Sequence, residues 1–221
     1  MFSFPSRRAY QQFSLRALLR SGCLICALFT LSATADSASI RLLVLGDSIS
    51  AAYGMSLQEG WVALLEQRLT RDGAAVKTIN ASISGETTDG GRRRLPALLE
   101  QHEPDAVIIE LGGNDGLRGY PVKQMRGNLI SMAEAAQEAG ALVLILPMEI
   151  PPNYGSRYAT DFRSSFSAAA KTTGAKLGPF LLEGIATEPR LMQDDGIHPT
   201  RDAQSMIVDR LLADVLSLLQ E

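Results

Sequence analysis

The chain has 221 residues, 46% of them hydrophobic, and its 21 lysines and arginines stand against 24 aspartates and glutamates for a formal net charge of −3. That length and apolar content suit one domain with an ample core. The acidic balance argues against nucleic acid as a general partner, because neutralising phosphates needs a basic surface.

Residues 1–35 differ from everything after them. Arg7, Arg8, Arg16 and Arg20 make a basic start without one acidic residue, Cys23 to Leu31 supply a short apolar core, and Ala33-Thr34-Ala35 fits a small-residue cleavage pattern. The expectation is a signal peptide over 1–35, cleaved after Ala35, which leaves 36–221 as a single domain in the periplasm or outside the cell. The apolar core is shorter than the roughly 20 residues that span a bilayer, so no stable membrane anchor is expected after cleavage. The Arg7-Arg8 pair leaves both the general and the twin-arginine export routes open. Removing four arginines takes the basic count from 21 to 17 against an unchanged 24, a net charge of about −7. Both cysteines leave as well, so the working protein has no disulfide, thiol nucleophile or zinc–thiolate site.

Ile40 to Leu45 form an almost unbroken apolar run that stops at Gly46-Asp47-Ser48-Ile49-Ser50. Continuous rather than alternating apolarity predicts a parallel strand covered on both faces. Ligands of open α/β sheets bind at the carboxyl ends of such strands, so Ser48 stands where a nucleophile is useful. Asp47 or Ser48 would serve equally well as the cap of a following helix. Trp61, Leu64, Leu65 and Leu69 then mark an amphipathic helix over Gly60–Arg71, ended by Asp72-Gly73. Ala75–Ile79 is a short strand opening into the polar loop Asn80–Thr87, and a helix to about Gln101 turns Leu95, Leu98 and Leu99 inward. Its Arg92-Arg93-Arg94 run reads as a solvated face, with phosphate binding the alternative.

Asp105–Leu111 is the third strand, delivering Gly112-Gly113-Asn114-Asp115-Gly116 at its end, where the glycines imply unusual dihedrals or close approach. A helix over Val122–Ala139 precedes the apolar strand Ala141–Leu146. The proline-rich stretch Pro147–Gly155 leads to a helix over Tyr158–Thr172, a last strand near Ala175–Leu177, and a helix over Arg201–Leu219. This alternation predicts an α/β fold of three layers, with five parallel strands most simply ordered 2-1-3-4-5 and right-handed crossovers. The loops after strands 1 and 3 then bound the crevice, bringing Ser48, Gly85 and Asn114 together.

Of only two histidines, His102 sits before Glu103-Pro104 in a connection, and His198 lies in Asp194-Asp195-Gly196-Ile197-His198-Pro199, before the last helix. A serine nucleophile needs a base, and the base needs a third group to orient it and stabilise the imidazolium. His198 and Asp195 can supply both, although taken singly such a loop suits an idle surface histidine. The backbone N–H groups of Ser48 and Gly85 and the Asn114 amide can supply donors to an oxyanion. No glycine-rich nucleotide loop, histidine pair for a metal or basic aromatic surface for single-stranded nucleic acid is present, so no metal or cofactor is called for.

These residues resemble the four blocks of the GDSL or SGNH hydrolases: Gly46-Asp47-Ser48-Ile49-Ser50, Gly85, Gly113-Asn114-Asp115 and Asp195-Gly196-Ile197-His198. Ile49 stands where the short name has leucine, an aliphatic swap. Leu111–Gly119 and Pro151–Gly155 are similar to the periplasmic bacterial thioesterase, lysophospholipase and arylesterase branch, and the resemblance runs from Ile40 to the C-terminus. It implies a flavodoxin-like three-layer fold, Ser48 as nucleophile, His198 as base, Asp195 as its orienter, and Ser48, Gly85 and Asn114 as oxyanion donors. It also implies a mobile loop at Gly116, Leu117, Arg118, Gly119, Tyr120 and Pro121 lining the acyl site. The expected activity is hydrolysis of small-molecule esters and thioesters (aryl esters, acyl thioesters, lysophospholipids) by a monomer. Alternatives are a carbohydrate O-acetyl esterase on the same scaffold and a binding module using the same crevice.

Overall fold

A computed structural model describes residues 39–220; the expected leader over 1–35 and its cleavage position after Ala35 lie outside the described residues. The elements run β1 Ile40–Gly46, α1 Trp61–Arg71, β2 Val76–Asn80, α2 Thr88–His102, β3 Ala106–Glu110, α3 Gly113–Leu117, α4 Val122–Glu138, β4 Leu142–Ile145, α5 Ser156–Thr173, β5 Lys176–Leu177 and α6 Arg201–Leu218. The strands form one all-parallel sheet in the expected order, β2-β1-β3-β4-β5.

Strand periodicity decides which helix each side chain meets. Along β1, Leu43 and Leu45 point into a core shared with Leu95 and Leu99 of α2, Leu129 and Met132 of α4, and Phe162 and Phe166 of α5. Leu42 and Val44 point the other way, into a core with Trp61, Leu65 and Leu69 of α1 and Ile207, Leu211 and Val215 of α6. All four β1 residues are fully buried, which is why the run is apolar throughout rather than alternating. Phe162 and Phe166 meet edge to face with centroids 5.3 Å apart, the geometry that aromatic pairs prefer. Gly91 lets α2 approach the sheet: a Cβ there would come within 2.3 Å of Leu111 Cδ1.

Register lines up the strand ends. Gly46 pairs with Glu110 and Val44 with Asn80, so the connections after β1, β2 and β3 leave from one edge. Most boundaries lie within one or two residues of those expected, and two features differ. His102 closes α2 rather than standing in a connection, because the helix continues to a left-handed cap at Glu103, φ 40°. The segment after β3 winds into α3 before any loop begins, as Gly112 at φ 127° turns the chain and Gly116 N–H donates to Gly112 O at 2.9 Å. The arginine run stands on the expected solvated face, where exposed Arg92 and Arg93 pair with Asp89, and half-buried Arg94 pairs with Glu86 and the Ala81 carbonyl. No helix among the described residues is long and apolar enough to cross a membrane.

Candidate active site

β1 ends in a glycine because the chain folds back on itself there. A Cβ at Gly46 would lie 2.6 Å from both Glu110 Oε2 and Ser50 Oγ. The returning turn, with Ala51 N–H on Asp47 O at 2.9 Å and Tyr53 N–H on Ser48 O at 3.0 Å, lifts Ser48 above the sheet edge. Glu110, fully buried, fastens this turn to β3 by accepting from Asp47 N–H at 3.2 Å and from Ser50 Oγ at 2.6 Å. Burial pushes the Glu110 carboxyl well above its ordinary range, and the neighbouring Asp47 charge adds to the effect. Asp47 is pushed up to about 6 by burial, against the opposing pull of the Ile49 N–H, His198 and the Asn114 amide.

His198 Nε2 lies 2.8 Å from Ser48 Oγ, and His198 Nδ1 lies 2.6 Å from Asp195 Oδ2. The other Asp195 oxygen accepts from the N–H groups of Ile197 at 2.9 Å and His198 at 3.0 Å, which closes the loop into a rigid turn with Gly196 at φ 66°. Desolvation works against the Asp195 charge, but hydrogen bonds from the His198 backbone and side chain and the Ile197 backbone hold it at about 2. An ionised carboxylate only accepts hydrogen bonds, so Nδ1 carries the proton and Nε2 is left to accept the Ser48 O–H. The arrangement is a proton path from hydroxyl to imidazole with an anion behind it.

Asn114 opens α3 and donates Nδ2–H to Asp47 Oδ2 at 3.2 Å. Its second N–H is uncommitted among the described hydrogen bonds. The Gly85 loop is tied to β1 by Ala81 N–H on Val44 O and Ile83 N–H on Gly46 O, at 2.9 and 3.1 Å, and to the end of α3 by Arg118 on Gly85 O at 3.1 Å. Gly85 adopts φ 79°, a conformation that favours glycine. Asp115, buried beneath, binds the N–H and hydroxyl of Thr88 at 2.8 and 2.7 Å and so anchors α3 to the start of α2. The Ser48 turn, the Gly85 loop and Asn114 are therefore joined by hydrogen bonds.

The segment expected as a loop lining the acyl site divides in two. Gly116 is buried inside α3, where a Cβ would meet Ile150 Cγ2 at 2.6 Å and Phe162 Cε2 at 2.7 Å, so it serves close packing rather than a hinge. Gly119, at φ 67° with nothing within 4 Å of where a Cβ would stand, owes its glycine to the turn it makes rather than to packing. Leu117 and Tyr120 offer their carbonyls to the hydroxyls of Tyr154 and Tyr158, at 2.8 and 2.7 Å, while Tyr120 is 46% exposed and Pro121 precedes α4. A separate open groove of about 550 Å³ lies between α1 and β2, lined by Leu57, Val62, Glu66, Thr78 and Asn80 among others; Ser48 does not line it. Glu110, Tyr53 and Gln193 were not evident from local sequence. A lone acidic residue closing the apolar run Ala106–Ile109 was the one signal pointing to Glu110.

The profile of the GDSL-like Lipase/Acylhydrolase family matches residues 44–205. The chain is also 48% identical over 205 residues to Esterase TesA of Pseudomonas aeruginosa, covering 93% of this chain and 100% of that one. The chain belongs to the GDSL-like lipase/acylhydrolase family. Within that family it is 44% identical over 173 residues to the thioesterase 1/protease 1/lysophospholipase L1 of Escherichia coli K12, covering 78% of this chain and 82% of that one. It superposes with a TM-score of 0.79 on the psychrotrophic esterase EstA from Pseudoalteromonas sp. in a structure inhibited by monoethylphosphonate, at 46% identity, covering 82% of this chain and 99% of that one. The family match takes in all four motif blocks, from Ser48 to His198.

Proposed function

We propose that this GDSL-family enzyme hydrolyses carboxylic esters and thioesters through an acyl intermediate on Ser48. The observation that carries the reading is the unbroken chain Ser48 Oγ, His198 Nε2, His198 Nδ1 and Asp195 Oδ2, at 2.8 Å and 2.6 Å. Ser48 Oγ attacks the acyl carbon as its proton passes to Nε2. The carbonyl electron pair moves to oxygen, where the N–H groups of Ser48 and Gly85 and the free Asn114 N–H receive it. On collapse, the alcohol or thiol leaves with the proton from Nε2. Water then attacks the acyl-Ser48 ester, again giving its proton to Nε2, and the acid departs as Ser48 recovers its hydrogen.

The names of the relatives, an esterase and a thioesterase/lysophospholipase, support both leaving-group classes. Leu117 to Pro121 line the acyl site in this reading, with Gly116 packed beneath them, and the molecule acts as a monomer in the periplasm or outside the cell after loss of residues 1–35. The test is labelling with an organophosphonate probe, followed by peptide mapping. The label is expected on Ser48, and Ser48→Ala and His198→Ala are each expected to abolish nearly all turnover, with the double variant costing little more because triad members act as a unit. Labelling elsewhere, or an active Ser48→Ala protein, would overturn the assignment.

A further inference from the structure

Two residues beside the base have no part in the chemistry so far. The Tyr53 ring lies against the His198 imidazole, with centroids 4.2 Å apart and planes inclined by 31°. The His198 side chain is 14% exposed although residues 194–197 before it are all exposed. Tyr53 is itself 48% exposed, and its hydroxyl makes no hydrogen bond among the described residues, so neither burial nor a polar tip explains where the ring stands. Its backbone does. Tyr53 N–H donates to Ser48 O at 3.0 Å, and Tyr53 O accepts from Gln193 Nε2 at 2.8 Å.

Gln193 gives its other amide hydrogen to the Pro199 carbonyl at 3.1 Å and its backbone N–H to the His198 carbonyl at 2.8 Å. One side chain thus ties the turn that carries the nucleophile to the loop that carries the base. Ala52 at the tie adopts φ 55°, a left-handed conformation unfavourable for a residue with a Cβ, and Gly54, at φ 78°, has to be glycine, since a Cβ there would come within 2.4 Å of Gln193 Oε1. Such conformations persist where the surroundings over-determine them.

We propose that Tyr53, fixed by Gln193, is a positioning residue for the base, its ring backing the His198 imidazole and stabilising the imidazolium formed in each half-reaction. This inference rests on the assignment of Ser48, His198 and Asp195 made above. An aromatic face attracts a cation within about 6 Å. The imidazole is cationic only while it holds the proton from Ser48 or water, so the attraction strengthens towards the transition state, the condition for catalysis rather than mere binding. The charged groups facing the ring are Asp195 on Nδ1 and Asp47 beneath, with Glu110 behind Asp47; Ser48 stands at Nε2 and Tyr53 covers a face.

The test measures kcat/KM against pH with p-nitrophenyl acetate for wild type, Tyr53→Phe, Tyr53→Leu, Gln193→Ala and Ser48→Ala, with circular dichroism to confirm folding. Phenylalanine keeps the ring and removes an unbonded hydroxyl, so its profile should overlay that of wild type. Leucine keeps cover without a π face. Its acidic limb should move down by roughly 0.4–0.7 pH unit relative to phenylalanine, since a less stabilised imidazolium releases its proton at lower pH. Gln193→Ala removes two side-chain hydrogen bonds and should lose roughly 5- to 150-fold in kcat/KM. Coincident Tyr53→Leu and Tyr53→Phe profiles, or a full-speed Gln193→Ala, would overturn the proposal while leaving the triad intact. An active Ser48→Ala would instead remove the reading beneath it, so the two failures are distinct.

Discussion

Asp47 precedes Ser48 and does more than cap a turn. One of its oxygens accepts from Ile49 N–H at 3.0 Å and the other from the Asn114 amide at 3.2 Å, so the residue that starts the Ser48 turn also holds the amide that serves as an oxyanion donor in the proposed mechanism. Asn114→Ala removes that donor, and the expected loss is roughly 10²–10³ in kcat. Asp47→Asn keeps the shape but sets an NH₂ group against the Asn114 amide or surrenders the bond to Ile49 N–H. Its loss should approach that of Asn114→Ala, and the double variant should be little worse than either, because the two groups share one interaction. Steady-state kinetics on the three variants decides it; additive losses would mean that Asp47 acts on something other than Asn114.

At the scale of elements, the proposed mechanism has α3 join the chemistry to acyl recognition. Its first turn bears Asn114 and its end passes into the Gly119 turn, so a chain bound beside Leu117 and Tyr120 would lie near the proposed oxyanion donor. If an acyl chain packs there, each buried methylene should contribute up to about 0.8 kcal/mol, close to fourfold in kcat/KM per carbon until the groove is filled. Leu117→Ala and Tyr120→Ala should each flatten that dependence across p-nitrophenyl esters from acetate to palmitate and leave acetate almost unchanged. Parallel profiles in all three proteins would move the determinant to the Pro147–Gly155 segment. Packing makes a second prediction at this scale. Gly91→Ala forces a methyl group into fully buried Leu111 between α2 and the sheet and should destabilise the fold by about 1–3 kcal/mol, read as a lower melting temperature.

For the whole molecule, the buried carboxylates beneath the site set the response to pH. Asp47, Glu110 and Asp115 all hold their protons more tightly when folded, burial being the first cause in each case. Their ionisation therefore opposes folding above their folded values, about 6 for Asp47, and the penalty is relieved as pH falls towards the ordinary 3.8 and 4.5. Asp195 works in the opposite sense. Held at about 2 by hydrogen bonds that outweigh its desolvation, it contributes stability present above 3.8 and lost as pH falls through 2. The melting temperature should rise as pH is lowered from about 8 to about 5 and fall below about 3.8, with Glu110→Gln reducing the rise. A scanning-calorimetry series showing a steady fall from pH 8 to 5 would rule out buried ionised carboxylates as the controlling groups.

What the sequence determined by itself was whatever short-range periodicity carries. The three apolar strand runs of β1, β3 and β4, each buried on both faces, and the helical spacing of Leu95 and Leu99 or of Ile207, Leu211 and Val215 were enough for the order of elements, and right-handed crossovers then led to the sheet order. Ser48, Asn114 and His198 could be singled out because each stands within two residues of a glycine or proline at a strand end or before a helix. Only tertiary structure decided what these residues meet. Ser48 and His198 are 150 positions apart, and the 2.8 Å between them depends on Glu110 drawing the Ser48 turn onto β3 and on Gln193 joining that turn to the His198 loop. Gly116 looked like a hinge beside Gly119, since a glycine needed for close packing and one needed for backbone freedom are identical in sequence. The shells of Ile150 and Phe162 that distinguish them come from segments far along the chain, which local pattern does not encode.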